Sequence, residues 1–175
     1  SGKIATGTIT PANLMYGPFN NSTGLYEEYA STDATPLAAG KGYRAGSVSG
    51  ETLTYSGVVQ TADTPIILSF GAGQFKESNL VGNPVTTHID AGKLLVSMAA
   101  ASTVIDPSFA AIYGYDGEAT TEVSTWKVIN SLTSPELITP GQGFILISTA
   151  AGGSYTFPES ARTVSATAQD DFITG

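Results

Sequence analysis

His88 is the only histidine in the chain, and there is no cysteine. A multi-histidine zinc site therefore cannot be built, thiolate chemistry is excluded, and a Ser-His-Asp triad has a single candidate base. His88 stands between Thr87 and Ile89, and no Gly-x-Ser-x-Gly elbow occurs. It is expected to be a loop histidine making an ordinary hydrogen bond. A glycosidase would need two carboxylates flanking a bond. Glu27 with Glu28, Asp116 with Glu118, and Asp170 with Asp171 are near neighbours in turn-like or exposed settings, so they read as solvated charges. The expectation is a chain that is not an enzyme. Calcium held by Asp and backbone carbonyls would suit an acidic exported module, yet no Asp-x-Asp-x-Asp loop appears. Calcium is thus the one cofactor left open, with no ligands assigned.

Stacking chemistry is better represented. Trp126, Tyr113 and Tyr115 are residue types that lie flat against a sugar ring. Asp116, Glu118 and Asn130 are close enough in sequence to bond to hydroxyl groups. If the chain holds a polymer, Trp126, Tyr113, Tyr115, Asp116 and Asn130 are the expected contacts. The competing expectation is that Trp126 and at least one of these tyrosines fill a core, and burial decides between the two. A Gly-x-Gly-aromatic element, Gly40-Lys41-Gly42-Tyr43 and again Gly141-Gln142-Gly143-Phe144, raises a phosphate cradle as a further idea. A cradle needs a helix behind it, and the residues after each element are β-like. The element reads instead as a tight turn. Its first glycine takes positive φ, its second lets another backbone come close, and its aromatic drops into the core. Tyr43 and Phe144 are accordingly expected to be core anchors.

Short β-like runs separated by Gly, Pro, Asn and Asp must position these groups. Strands are expected over 4–9, 24–29, 42–45, 52–59, 64–70, 78–81, 111–115, 125–129, 143–148 and 154–157. Alternation is clearest at Leu53, Tyr55 and Val59, and at Tyr155 and Phe157, the pattern of strands with one buried face. One helix is expected, over 91–101. Asp90 is its N-cap, and Leu94, Leu95 and Met98 form an apolar stripe that lies over a sheet edge.

Composition agrees with an all-β exported module. Hydrophobic residues make up 41% of the chain and charged residues only 13%, about half the share usual in globular domains. Seven basic against fifteen acidic side chains give a net charge of -8 without any Lys/Arg cluster. Nucleic acid and anionic membrane surfaces are poor partners for such a chain. The longest apolar run, 94–101, is far short of the ~20 residues needed to span a bilayer, so no membrane insertion is expected. Ser1-Gly2-Lys3 does not open a signal peptide, and the chain is expected to begin inside a mature protein or at an engineered cut.

An internal repeat organises the chain. The two Gly-x-Gly-aromatic elements are each succeeded by an alternating aromatic run, Leu53-Thr54-Tyr55 and Tyr155-Thr156-Phe157. Upstream, Tyr26 and Tyr29 are echoed by Tyr113 and Tyr115, and Asn13-Leu14-Met15-Tyr16-Gly17-Pro18 by Asn79-Leu80-Val81-Gly82-Asn83-Pro84. Order is kept across all four matches. The reading is a duplication giving two β-sandwich or barrel-like units, 1–70 and 71–165, the second carrying the helix and a loop near 131–136. Residues 166–175 begin a linker or next segment.

The ordered series 78–84, Ile89-Asp90 with a short helix, 111–117, 126–130, 138–144 and 155–162 resembles a recurrent β domain of large secreted and surface proteins of Bacteroidota. That domain is often found upstream of a type IX secretion sorting domain. The likeness covers almost the whole chain, although Ser78 and Val85 stand where those domains often carry aromatics. It implies an exported accessory domain, at the cell surface or outside the cell, with neighbouring domains of the same polypeptide as its first partners. It supplies no catalytic residues. Two functions are implied as expectations. One is a structural spacer, adhesin or filament segment; the alternative is a module binding surface glycans or protein partners, such as one attached to a polysaccharide-active enzyme.

Overall fold

The structure is a computed structural model that describes residues 3–4, 15–29, 37–46, 55–56, 63–115, 126–132 and 136–164. Its first part consists of β1 (Lys3–Ile4), β2 (Met15–Gly17), β3 (Phe19–Asn20), β4 (Leu25–Tyr26), β5 (Arg44–Gly46), β6 (Tyr55–Ser56) and β7 (Pro65–Leu68). Next come β8 (Ser78–Gly82), β9 (His88–Asp90), the helix α1 (Ala91–Ala100), β10 (Ile112–Tyr115) and β11 (Trp126–Ile129). The chain continues through β12 (Leu137–Ile138), β13 (Gly143–Ile147), β14 (Gly153–Thr156) and β15 (Arg162–Thr163). The fold is all-β with one helix. Its sheets are small and antiparallel, stacked in a sandwich-like way, and none closes into a barrel among the described residues. The alternation expected around Leu53, Tyr55 and Val59 lies outside the described residues, apart from the backbone of β6.

The largest sheet has four strands in the order β11-β10-β13-β8. One face of it is apolar and sealed: Ile112, Ile129, Phe144, Leu146 and Val81 all belong to a single buried cluster. The same cluster takes in Leu94, Leu95 and Met98 of α1, Ile89 of β9, Ile138 of β12, and Tyr155 of β14. Helix α1 starts where expected because Asp90 accepts the Lys93 backbone N–H at 3.0 Å, satisfying one of the open donors of the first turn. It ends at Ala100, with Ala101 as its C-cap. Strand β7 also feeds this core. It pairs with β14, placing Ile66 opposite Tyr155 and Ser154 opposite Ile67, so residues 65–68 are stitched to the second half of the chain.

Strand β8 is where the two Gly-x-Gly elements meet. Along one edge it pairs with β13, Val81 opposite Phe144 and Gly82 opposite Gly143. On its other edge the Gly42 N–H donates to the Leu80 carbonyl and the Gly82 N–H donates to the Gly40 carbonyl, each at 3.0 Å. In the first half β2 pairs with β5, as β8 pairs with β13 in the second. Both leading glycines take the left-handed conformation, φ +76° at Gly40 and +79° at Gly141, which a side chain would resist. The asparagines of the 78–84 run are structural. Asn83 is buried, donates to the carbonyls of Thr87, Ile138 and Thr139, and accepts the Val85 N–H. Asn79 donates to the carbonyls of Ser69 and Glu77 and accepts the Ser69 N–H at 2.8 Å.

Two expectations are corrected. Phe144 is fully buried, but Tyr43 is only half-buried: its hydroxyl accepts the Ala38 N–H at 3.0 Å, at a place that water still reaches. His88 sits on β9 opposite Thr163, in a strand and not in a loop.

Candidate functional site

Alternation along β10 and β11 sends Ile112 and Ile129 into the core and turns Tyr113, Tyr115, Trp126 and Val128 to the other face. Tyr115 stands directly opposite Trp126, and Tyr113 opposite both Val128 and Ile145. These side chains therefore share the outer face of the sheet. Trp126 is 47% exposed and Tyr115 58%, with their rings edge to face at 5.5 Å. Tyr113 is half-buried, and that burial pushes its phenol pKa up.

The first part of the chain leans over this face and leaves a cleft of about 590 Å³. Trp126, Ile145 and Ser78 form one wall, and Phe19, Leu25, Tyr26, Glu28, Arg44 and Phe75 form the other. The Arg44 guanidinium lies 4.2 Å above the Tyr26 ring, a cation–π contact that holds both flat. Burial pushes the Tyr26 phenol up, Arg44 opposes this, and the Tyr115 hydroxyl adds to it. Tyr26 and Tyr115 thus feel one another across the two halves of the chain. Phe19 packs against Tyr26 with centroids 5.3 Å apart.

Phe75 is the most unusual member. Its φ is +58°, and it is the one non-glycine residue with positive φ among the described residues. A bulky side chain in that region is strained by roughly 1–2 kcal/mol, and such strain persists where the surroundings or the function hold it. A glycine would fill the turn without cost, yet a largely exposed phenyl ring stands there, at the rim of the cleft.

The residues expected at the site are therefore divided. Trp126 and Tyr115 come together, with Tyr113 beside them on the same face. Asn130 does not join them. It lies beyond the end of β11, where its Oδ1 accepts the Leu132 N–H at 2.9 Å, and it lines a separate hollow beside α1 with Gly92, Lys93 and Val96. Asp116 lies outside the described residues. Tyr26, Arg44, Phe75 and Leu25 are additions to the expected site, and no local sequence signal joins them to Trp126; the fold alone does so. Glu28, read as part of a solvated acidic pair, also lines the cleft.

A more polar cleft, of about 520 Å³, lies between Ala38–Lys41 and strands β7 and β8. Its buried polar groups are occupied with one another. Asn21 donates to the Ser69 carbonyl at 2.8 Å, and Ser69 is held in turn by Asn79. That network clamps the turn between β3 and β4 to the second half of the chain and leaves few free donors for a ligand. Among the described residues no group of three or more His, Cys, Asp or Glu could hold a metal ion. No helix among them is long and apolar enough to cross a membrane. No family model matches the chain, and neither the curated proteins nor the solved structures give a match.

Proposed function

We propose that this chain is a non-catalytic accessory module of a larger exported protein, and that it holds a polysaccharide in the cleft between Trp126 and Tyr26. The observation that carries the reading is the exposure of Trp126, which lines the cleft and packs edge to face with Tyr115. Leaving about half of so large an apolar ring exposed forgoes on the order of 1 kcal/mol of burial energy, a cost that a binding role explains. Flat aromatic walls with a few polar groups between them are what a sugar polymer needs, apolar ring faces for stacking and hydroxyls for hydrogen bonds. The extracellular address rests on the low charge content and the resemblance to Bacteroidota surface domains.

The test is retention on a panel of insoluble polysaccharides. Wild type should be retained on at least one. Trp126→Ala and Phe75→Gly should each weaken that retention at least tenfold while leaving the melting temperature within a few degrees. A wild-type chain retained on none would favour the spacer reading. Retention indifferent to both substitutions would move the site away from this cleft.

A further inference from the structure

The polar groups of the cleft indicate which class of polysaccharide it would take, an inference that rests on the glycan reading of the same cleft. Arg44 and Glu28 both line the cleft, and neither makes an ion pair among the described residues. Arg44 is fixed through its contact with the Tyr26 ring, so its face is used and its edge, a planar fork of N–H donors, is left for a ligand. Glu28 offers two acceptor oxygens on the same wall. A donor fork and an acceptor lining one cleft are matched by hydroxyl groups, each of which both accepts and donates. A carboxylated sugar fits less well. It would satisfy Arg44 but meet the Glu28 carboxylate, and it would approach a chain of net charge -8.

We propose that the cleft selects a neutral polysaccharide over a uronate polymer, with Arg44 donating to its hydroxyl groups and Glu28 accepting from them. The two side chains are specificity-determining residues, whereas Trp126 and Phe75 supply stacking that any pyranose would share.

The experiment measures depletion isotherms of the whole chain on amorphous cellulose, xylan and mannan, and on polygalacturonate and alginate, at low and high salt. Retention is expected on at least one neutral polymer, with little salt dependence, and on neither uronate. Arg44→Gln and Glu28→Gln should each weaken neutral binding about tenfold, the scale of one hydrogen bond to a charged group. Both residues are exposed, so the fold should survive, as melting curves would confirm. Salt-sensitive, Arg44-dependent binding to a uronate polymer would overturn the proposal. So would neutral binding that Trp126→Ala abolishes but both charge substitutions leave intact, an outcome that keeps the glycan reading. Absence of binding to every polymer would remove both.

Discussion

Gly40–Tyr43 and Gly141–Phe144 approach the same strand, β8, from opposite edges, and their first glycines adopt nearly the same backbone angle. From there they diverge. Phe144 lies opposite Val81 within a continuous ladder, its ring 1% exposed and 6.0 Å from Phe157. Tyr43 comes after an isolated bridge between Lys41 and Val81, and its ring keeps its hydroxyl end at the surface. The second glycines differ as well. A Cβ at Gly42 would stand 2.6 Å from the Val81 carbonyl oxygen, whereas at Gly143 it would stand 3.7 Å away, an ordinary contact. A repeated motif therefore fixes the turn, while the strand across from it decides burial and crowding.

The largest effect that could break this comparison is at the aromatic position. Phe144→Ala should cost about 3–5 kcal/mol, the range for a large aromatic lost from a sealed core. Tyr43→Ala should cost only about 1 kcal/mol, since it loses partial burial and one neutral hydrogen bond. Chemical denaturation of both variants measures the ratio. Equal losses would show that Tyr43 is as much a core anchor as Phe144, and that the two halves are closer in packing than their exposures indicate.

The same residues show how far sequence reaches. The expected strands 24–29, 42–45, 64–70, 111–115 and 143–148 have shorter counterparts, because Gly and Pro punctuation marks where ladders stop but not how far they run, while most of 4–9 and 52–59 lies outside the described residues. Strands β2, β3, β9, β12 and β15 are additions; two or three residues are too few for a period of two to register. The helix was legible because Asp90 and the Leu94, Leu95, Met98 stripe are local signals. Trp126 and Tyr115 were legible as partners because they flank one hairpin, so their register is set by local geometry. Asn130 was misplaced because β11 ends at Ile129, and beyond a strand end the alternation no longer says where a side chain points. Tyr26, Arg44 and Phe75 reach the site through tertiary contacts alone, and the positive φ of Phe75 has no signature in its residue type.

The smaller and sharper test lies at the second glycine, where the two turns should respond with opposite sign. At Gly42 a methyl group would meet the Val81 carbonyl oxygen and the Leu80 Cγ, both at 2.6 Å. The carbonyl belongs to β8, whose Leu80 oxygen already accepts the Gly42 N–H, so neither backbone can retreat without breaking that bond. Gly42→Ala should destabilise by roughly 1–3 kcal/mol, the usual cost of overpacking. Gly143 lies within β13, is exposed, and keeps its φ out of the left-handed region. A methyl there has room, and Gly143→Ala removes freedom from the unfolded chain, so it should stabilise by about 0.4–1 kcal/mol. Melting temperatures that move in opposite directions would establish that close backbone approach is a property of the first turn alone. A shared direction would mean that β8 is gripped equally on both edges.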